Sequence, residues 1–254
     1  MKKKEILLAC ICAVLLVVTS ILGTVAYLTS EATVTNTFTV GKVNITLDET
    51  KVNEDGLPVD AFGNVVEKDE TTGEYTGALK TEEGTGNDYL LIPGKNAIKD
   101  PTVTIKEKSE DSYVRMILTV QNASAVQAII DNSKHGLDDF SSLLVGYNPT
   151  IWIYEGFELG TNNTISFEFR YHKICEGKNE AYRLEPLFTE VYVPATLTSE
   201  EVASLHNASD PEATFKMIVV AHAIQTFGFE ADIENNKTAQ DIAWEAFDYQ
   251  HSGS

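Results

Sequence analysis

The chain has 254 residues, of which 43% are hydrophobic and 22% are charged. This composition is that of a globular protein large enough to bury a core, and it excludes a disordered tail. The net charge of −19 disfavours binding to nucleic acid or to anionic lipid headgroups, so we expect neither as a partner.

Residues 1–26 have the organisation of a secretory signal peptide. Three lysines precede an apolar run over residues 6–22, and the small residues Thr24 and Ala26 precede a cleavage site before Tyr27. We predict cleavage there, so that the chain contacts the membrane only through this segment and only before cleavage. The alternative is an uncleaved anchor, because the apolar character continues to residue 28 and a spanning helix needs about 20 residues.

Cleavage would change both the charge and the cysteine content of the chain. Removal of residues 1–26 takes away three lysines and one glutamate, so the net charge changes from −19 to −21. It also removes Cys10 and Cys12 and leaves Cys175 alone in the mature sequence, which excludes an intramolecular disulfide. The stability of the mature protein must then come from core packing.

The first segment of the mature chain with a strand pattern covers residues 34–47. Apolar and polar residues alternate, threonine is frequent, and the phase of the alternation changes at Gly41. One extra residue at a glycine is typical of a β-bulge, so we predict one long bulged strand.

Residues 48–90 are rich in aspartate, glutamate and glycine and have little sustained apolar pattern. We predict an exposed excursion of short hairpins or disordered chain. The spacing of its carboxylates does not match an EF-hand loop, so we predict no specific metal site.

The segment from residue 102 onward has the alternation of a β protein. Residues 113–120 are apolar on both faces, which is typical of a central strand, and Arg115 within them needs a carboxylate or carbonyl partner. We interpret Arg115 as a structural ion pair. Further strands are predicted at residues 102–106, 151–159, 164–171, 188–193 and 213–227, and together they indicate a two-sheet sandwich.

Short helical insertions interrupt this pattern. Residues 124–131 and 137–145 predict a helical pair, and residues 198–205 begin with a capping box formed by Thr198 and Glu201. Residues 238–247 begin with a related cap and carry an apolar stripe, so we expect a C-terminal helix packed on the sandwich.

No motif for catalysis, metal binding or cofactor binding occurs in the sequence. The pair His172 and Cys175 would point to opposite faces of a strand, and His222 is interpreted as a hydrogen-bonded sheet residue. A zinc protease would show His-Glu-x-x-His, and none of the five histidines is followed by glutamate. We therefore predict no catalytic residue, no metal and no cofactor.

Four short segments carry a family resemblance. GTVAYLTSE at residues 23–31, NTFTVG at 36–41, LIPG at 91–94 and YVR at 113–115 resemble the TasA/camelysin family of exported proteins. The resemblance is specific over about residues 20–47 and suggestive over about 90–120. It implies a SipW-type signal peptidase, a jelly-roll-like sandwich, and a role as a subunit of biofilm-matrix fibres on Gram-positive bacteria. It also raises an enzymatic alternative, since camelysin is described as a surface metallo-endopeptidase.

We therefore expect a secreted structural protein, a subunit or accessory component of extracellular biofilm-matrix fibres, in the matrix or on the cell surface of a Gram-positive bacterium. Residues 27–254 would form a single mainly β domain, a jelly-roll-like two-sheet sandwich with short helical insertions and a C-terminal helix. Its partners would be the signal peptidase and further copies or related matrix subunits. Assembly would use N-terminal strand exchange, in which residues 27–40 add to a neighbour's sheet edge. The residues assigned to this assembly strand are Val34, Asn36, Thr37, Phe38, Val40 and Gly41.

Two other functions fit the sequence. An adhesin would bind carbohydrate or host ligands through exposed aromatic residues such as Trp152 and Tyr154. A metallo-endopeptidase would need three zinc ligands converging from His172, Cys175, His206 or His222.

Overall fold

The structure is a computed structural model that describes residues 29–33, 36–39, 43–69, 71, 75–83, 86–87, 89, 91–206 and 214–251. Within these residues the protein is mainly β, with three antiparallel sheets and three α-helices. The strands are β1 (Thr29–Thr33), β2 (Asn36–Thr39), β3 (Ile45–Thr50), β4 (Thr81–Glu83), β5 (Ala97–Ile98), β6 (Thr102–Ile105), β7 (Ser112–Gln121), β8 (Leu144–Val145), β9 (Trp152–Leu159), β10 (Thr164–Tyr171), β11 (Tyr182–Arg183), β12 (Glu190–Val191) and β13 (Lys216–Gln225). The α-helices are α1 (Ala123–Asp131), α2 (Ser199–Leu205) and α3 (Ala239–His251).

The largest sheet has six strands in the order β2-β1-β13-β7-β10-β9, and every neighbouring pair is antiparallel. A four-stranded sheet has the order β11-β6-β3-β4, and a small sheet joins β5, β12 and β8. Strand β7 pairs along its whole length with β13 and from Arg115 to Gln121 with β10, which confirms the prediction of a central strand.

The core lies between the two larger sheets. Because successive strand residues point to opposite faces, one side of β7 is formed by Val114, Met116, Leu118 and Val120, all fully buried. These side chains belong to the same apolar cluster as residues of β3 and β6 in the four-stranded sheet. The two sheets therefore share one interior.

Helix α3 packs on the other face of the six-stranded sheet. Trp244 and Phe247 are each 1% exposed and form an apolar cluster with Ile224 of β13. The predicted cap is present, since the backbone nitrogen of Asp241 donates to Thr238 Oγ1 at 3.1 Å and the Asp241 carboxylate accepts from the Thr238 nitrogen. The C-terminal helix is thus confirmed, and so is the capping box of α2 between Thr198 and Glu201.

The prediction of one long bulged strand over residues 34–47 is wrong. Strand β2 belongs to the six-stranded sheet, whereas β3 pairs with β6 and β4 in the four-stranded sheet. A change of phase at a glycine is compatible with a crossing between sheets as well as with a bulge. The pairing of β3 with β6, which is distant in sequence, places residues 45–50 in the four-stranded sheet.

Three other predictions are corrected in part. Residues 137–145 contain only a short 3-10 helix (Phe140–Leu143), capped by the Asp139 carboxylate, and then strand β8. The strand at 188–193 is limited to β12. The acidic excursion forms short β-bridges, as predicted, but it is not wholly exposed, because Val52, Val59 and Val66 are buried.

None of the described helices is both long enough and apolar enough to span a membrane. The apolar run at residues 6–22 lies outside the described residues.

Candidate assembly surface

The predicted site residues fall into two groups. Asn36, Thr37 and Phe38 lie in β2, opposite Thr33, Ala32 and Glu31 of β1. The cleavage-site residues and the remaining assembly residues lie outside the described residues; these are Thr24, Ala26, Tyr27, Val34, Val40 and Gly41.

Strands β1 and β2, here called the N-terminal strand pair, form one side of the six-stranded sheet. Strand β1 pairs with β13 from Thr29 opposite Ile224 to Ala32 opposite Ala221. These partners are almost 200 residues apart in the chain, so strand pairing alone places the N-terminal pair on this edge. Among the residues that the structure describes, β2 is the terminal strand on that side of the sheet.

Strand β9 is the terminal strand on the opposite side of the same sheet. In the described part of the chain it pairs only with β10, from Trp152 opposite Tyr171 to Leu159 opposite Ile165. The register shifts once, next to Phe169 of β10. Such a bulge bends an edge strand but leaves the backbone groups of its outer side available.

Apolar side chains of β9 are exposed at this edge. Tyr154 is 47% exposed, Phe157 57% and Leu159 78%, although their partners Phe169 and Phe167 on β10 are buried. On β10, the rings of Phe140 and Tyr147 cover Phe167 and Phe169, at 4.4 and 5.4 Å between ring centroids, whereas the paired residues of β9 remain partly exposed. Sequence reasoning missed this edge, because an apolar strand pattern is the same for a terminal and an internal strand.

One of the two aromatic residues proposed for an adhesin is not at the surface. Trp152 is fully buried, its Nε1 donates to the Glu185 carbonyl at 3.0 Å, and its ring meets Tyr171 edge-on at 5.0 Å. The prediction of an exposed Trp152 is therefore wrong, and the prediction of an exposed Tyr154 is confirmed. Trp152 is buried because it begins β9 where the neighbouring chain segment around Glu185 still covers the strand.

No family model, curated protein or solved structure was found to match this chain. The geometry of the described residues therefore carries the functional argument.

An ion cluster around a buried arginine lies on the face of the six-stranded sheet that α3 covers, with the Asp248 side chain 57% exposed. Arg115 is 4% exposed and donates to both carboxylate oxygens of Asp248, with Nη1 at 3.0 Å from Oδ2. Its guanidinium group lies over the rings of Trp244 and Phe247, at 4.5 and 5.0 Å from their centroids. The predicted carboxylate partner of Arg115 is thus confirmed, and the arrangement is that of a structural contact between α3 and the sheet.

His222 completes this cluster as a neutral acceptor. Arg115 Nε donates to His222 Nδ1 at 3.2 Å. Burial, together with the nearby positive charge of Arg115, lowers the pKa of His222 to about 3. The ring is therefore uncharged at neutral pH, which confirms the interpretation of His222 as a hydrogen-bonded sheet residue.

A cleft of about 610 Å³ opens beside the cluster, between α3 and the outer face of β9 and β10. Its second arginine, Arg170, lies 2.6 Å from Glu168 and 2.6 Å from Asp241. Because both arginines that line the cleft are already paired with carboxylates, the charges of the cleft serve to attach α3.

The candidate zinc ligands do not form a metal site among the residues that the structure describes. No group of three or more histidine, cysteine, aspartate or glutamate side chains there could hold a metal ion. His172 and Cys175 follow β10, which ends at Tyr171, so the strand geometry predicted for them is wrong. They nevertheless lie in different environments, since His172 is exposed and Cys175 is 2% exposed.

Cys175 is expected to be unreactive in the folded protein. Burial raises the pKa of the Cys175 thiol to about 12, so almost no reactive thiolate is present at neutral pH. Purified residues 27–254 should release no measurable thionitrobenzoate from Ellman's reagent within an hour at pH 7.5. The same sample in 6 M guanidinium should release one equivalent. Rapid reaction without denaturant would contradict the buried position of Cys175.

Proposed function

We propose that this chain is a secreted structural protein whose copies associate through the N-terminal strand pair, as subunits or accessory components of extracellular matrix fibres. The observation that carries the proposal is the position of β1 and β2. They complete a six-stranded sheet by strand pairing with β13, a strand almost 200 residues away. The resemblance of residues 20–47 to the TasA/camelysin family supports the same role.

Strand pairing is well suited to assembly. The bonds that join β1 to β13 are main-chain hydrogen bonds, which an identical strand from another copy makes equally well. A terminal strand pair can therefore stay on its own sheet, exchange onto the β13 of a neighbour, or add its free edge to a neighbour's terminal strand. Contacts between different surfaces of identical copies give open-ended chains.

The finer architecture that we propose is a jelly-roll-like sandwich. The shared core of the two larger sheets supports it, because facing antiparallel sheets around one interior are the common feature of such folds. Cleavage before Tyr27 by a SipW-type peptidase would release the N-terminal strand pair only after export, and would thereby prevent assembly inside the cell.

Deleting residues 27–40 tests the proposal. The mature chain, residues 27–254, is expected to form filaments as its concentration rises and as the pH falls, because protonated carboxylates relieve the repulsion between acidic copies. The shortened chain is expected to stay monomeric under the same conditions. Negative-stain electron microscopy and analytical ultracentrifugation measure both.

Two controls complete this experiment. In the first control, residues 27–40 keep their composition but have a scrambled order. This variant shows whether assembly is lost because strand pairing is lost or because the chain is shorter. A synthetic peptide of residues 27–40, added to the shortened chain, should restore its thermal stability if the deletion only opens the edge of β13. Filaments of equal number from the shortened chain, or none from the mature chain, would contradict the proposal.

A second candidate function is favoured by the exposed aromatic residues of β9. Tyr154 and Phe157 could stack on the rings of a polysaccharide, which is the alternative of a surface adhesin. A rise in melting temperature with a cell-wall or host polysaccharide, abolished by Tyr154→Ala, would support that function.

A further inference from the structure

We infer that β9 is the acceptor edge of assembly and that β2 of a second copy pairs with it. The inference rests on the proposed function, since it names the surface to which the N-terminal strand pair adds. Strands β2 and β9 are the two terminal strands of one sheet in the described part of the chain. Pairing them between copies continues that sheet from one molecule into the next.

The direction of the strands favours this pairing. Every neighbouring pair in the order β2-β1-β13-β7-β10-β9 is antiparallel, and five such steps separate β2 from β9. An odd number of antiparallel steps leaves β2 and β9 running in opposite directions. A second copy displaced along the width of the sheet, without inversion, therefore presents β2 antiparallel to β9 and continues the alternation.

The exposed side chains of β9 give the pairing its apolar component. Tyr154, Phe157 and Leu159 lie opposite residues of β10 whose side chains point into the interior between the sheets. A copy added in the same orientation brings its own sandwich interior beside these side chains. An exposed apolar terminal strand is an association site unless another part of the protein covers it. The second copy, placed in this orientation, covers β9.

The charge of β9 argues against a symmetric pairing of two β9 strands. The strand carries Glu155 and Glu158, both exposed, so antiparallel self-pairing would place four carboxylates in one two-stranded ribbon. Like charges on paired strands are destabilising. Strand β2 has the sequence NTFT and no charged residue, so it pairs with β9 without this repulsion.

The geometry also determines the type of polymer. Pairing of β2 with β9 joins two different surfaces of the protein. An unpaired β2 remains at one end of the row of copies and an unpaired β9 at the other, so the assembly does not close after two copies. Neighbouring strands are rotated by roughly −20 to −25° in ordinary sheets, so six strands per copy make the repeat a screw rather than a straight translation. We expect thin helical filaments.

Lysine substitutions on β9 test the inference. In the variant Phe157→Lys/Leu159→Lys the edge becomes charged, and the lowest concentration that supports filaments should rise at least tenfold. The matched control is Phe62→Lys/Ile233→Lys, which replaces two other apolar residues that are 90% and 89% exposed. The control should assemble within twofold of the unchanged chain, and equal assembly of the β9 variant and the control would overturn the inference.

A mixing experiment tests the pairing itself. A second variant, Thr37→Lys/Thr39→Lys, charges β2 and keeps β9 intact. The mixing is done at a concentration that supports filaments of the unchanged chain but is below the raised threshold of the variants. Each variant alone should then be monomeric, and the two together should form a 1:1 dimer and no larger species, because only one intact β2 and one intact β9 face each other. Analytical ultracentrifugation measures the species, and a mixture that stays monomeric, or either variant forming filaments alone at this concentration, would overturn the inference.

The two proposals fail in distinguishable ways. If the unchanged chain forms no filaments, or if filaments form without residues 27–40, the proposed function itself is wrong. If filaments need residues 27–40 but are unaffected by lysines on β9, the strand pair assembles by exchange onto β13, and only the inference about β9 is wrong.

Discussion

Replacing Asp248 with alanine is expected to lower the free energy of unfolding by about 2 kcal/mol, because it removes a charged hydrogen-bond partner from a buried arginine. Arg115 is 4% exposed and donates to both oxygens of the Asp248 carboxylate. The Asp248 side chain is itself 57% exposed and Glu168 remains at 3.4 Å from Arg115, so the expected loss is below the range for broken pairs in which both groups are buried. Urea denaturation followed by the fluorescence of the two buried tryptophans, Trp152 and Trp244, measures the change.

Glu245→Ala is the matched control for Asp248→Ala. Glu245 lies on the same helix, α3, and its carboxylate pairs at 2.6 Å with the solvent-exposed Lys237. An exposed pair contributes little to stability, so this variant should unfold almost like the unchanged chain. Equal stability of the two variants would contradict a structural role for the Arg115 cluster.

The second large effect is a loss of stability in acid that depends on His222. The pKa of His222 is about 3 in the folded protein because of burial and then Arg115, whereas an exposed histidine has its pKa near 6.5. Between these values the unfolded chain binds a proton that the folded chain does not. The stability conferred by neutral His222 is therefore complete above about pH 6.5 and is lost as the pH falls towards 3.

This linkage predicts a slope that can be measured. One proton of difference corresponds to about 1.4 kcal/mol per pH unit, so the loss amounts to several kcal/mol across the window. His222→Asn keeps an acceptor for Arg115 but does not titrate, and its free energy of unfolding should fall less steeply between pH 6.5 and pH 4.5. His172→Asn, at an exposed histidine, should keep the steep slope of the unchanged chain.

Charged and titratable groups of the sheet and of α3 lie near His222. Arg115 faces it from β7, Asp248 and His251 face it from α3, and Glu31 of β1 is paired opposite it, while the His251 ring is stacked on Phe247 at 4.1 Å. All of these neighbouring groups are kept in the unchanged chain and in both variants, so the difference between the slopes reports on His222. An identical slope for His222→Asn and the unchanged chain would contradict the low pKa of His222.

The predictions made from the sequence are most accurate for features that depend only on residues close together in the chain. The alternation in residues 164–171 predicts that Ile165, Phe167, Phe169 and Tyr171 share one face of a strand; the last three are buried in β10 and Ile165 is half-buried. The caps at Thr198 and Thr238 are formed by side chains only three residues away, so a short sequence window contains both partners. The strands β7, β9, β10 and β13 were predicted for the same reason.

The candidate site depended on information that no local window contains. The pattern of residues 34–47 did not reveal that its two halves belong to different sheets, because the strand partner of a residue can be far away in sequence. The sequence indicated that Arg115 needs a carboxylate partner. It did not identify that partner as Asp248, which lies 133 residues later in the chain. Trp152 and Phe157 have similar sequence surroundings, yet one is fully buried and the other is 57% exposed.

The amino-acid sequence by itself determined the mainly β class, the central strand, the helix caps and the excess of negative charge, since these follow from periodicity, capping and composition. Only the tertiary structure decided which strands are terminal, which aromatic side chains are covered, and which carboxylate partners the buried arginine. These properties depend on the order of strands in the sheets and on which chain segments cover each face of a sheet, and both arise from contacts between residues far apart in the chain.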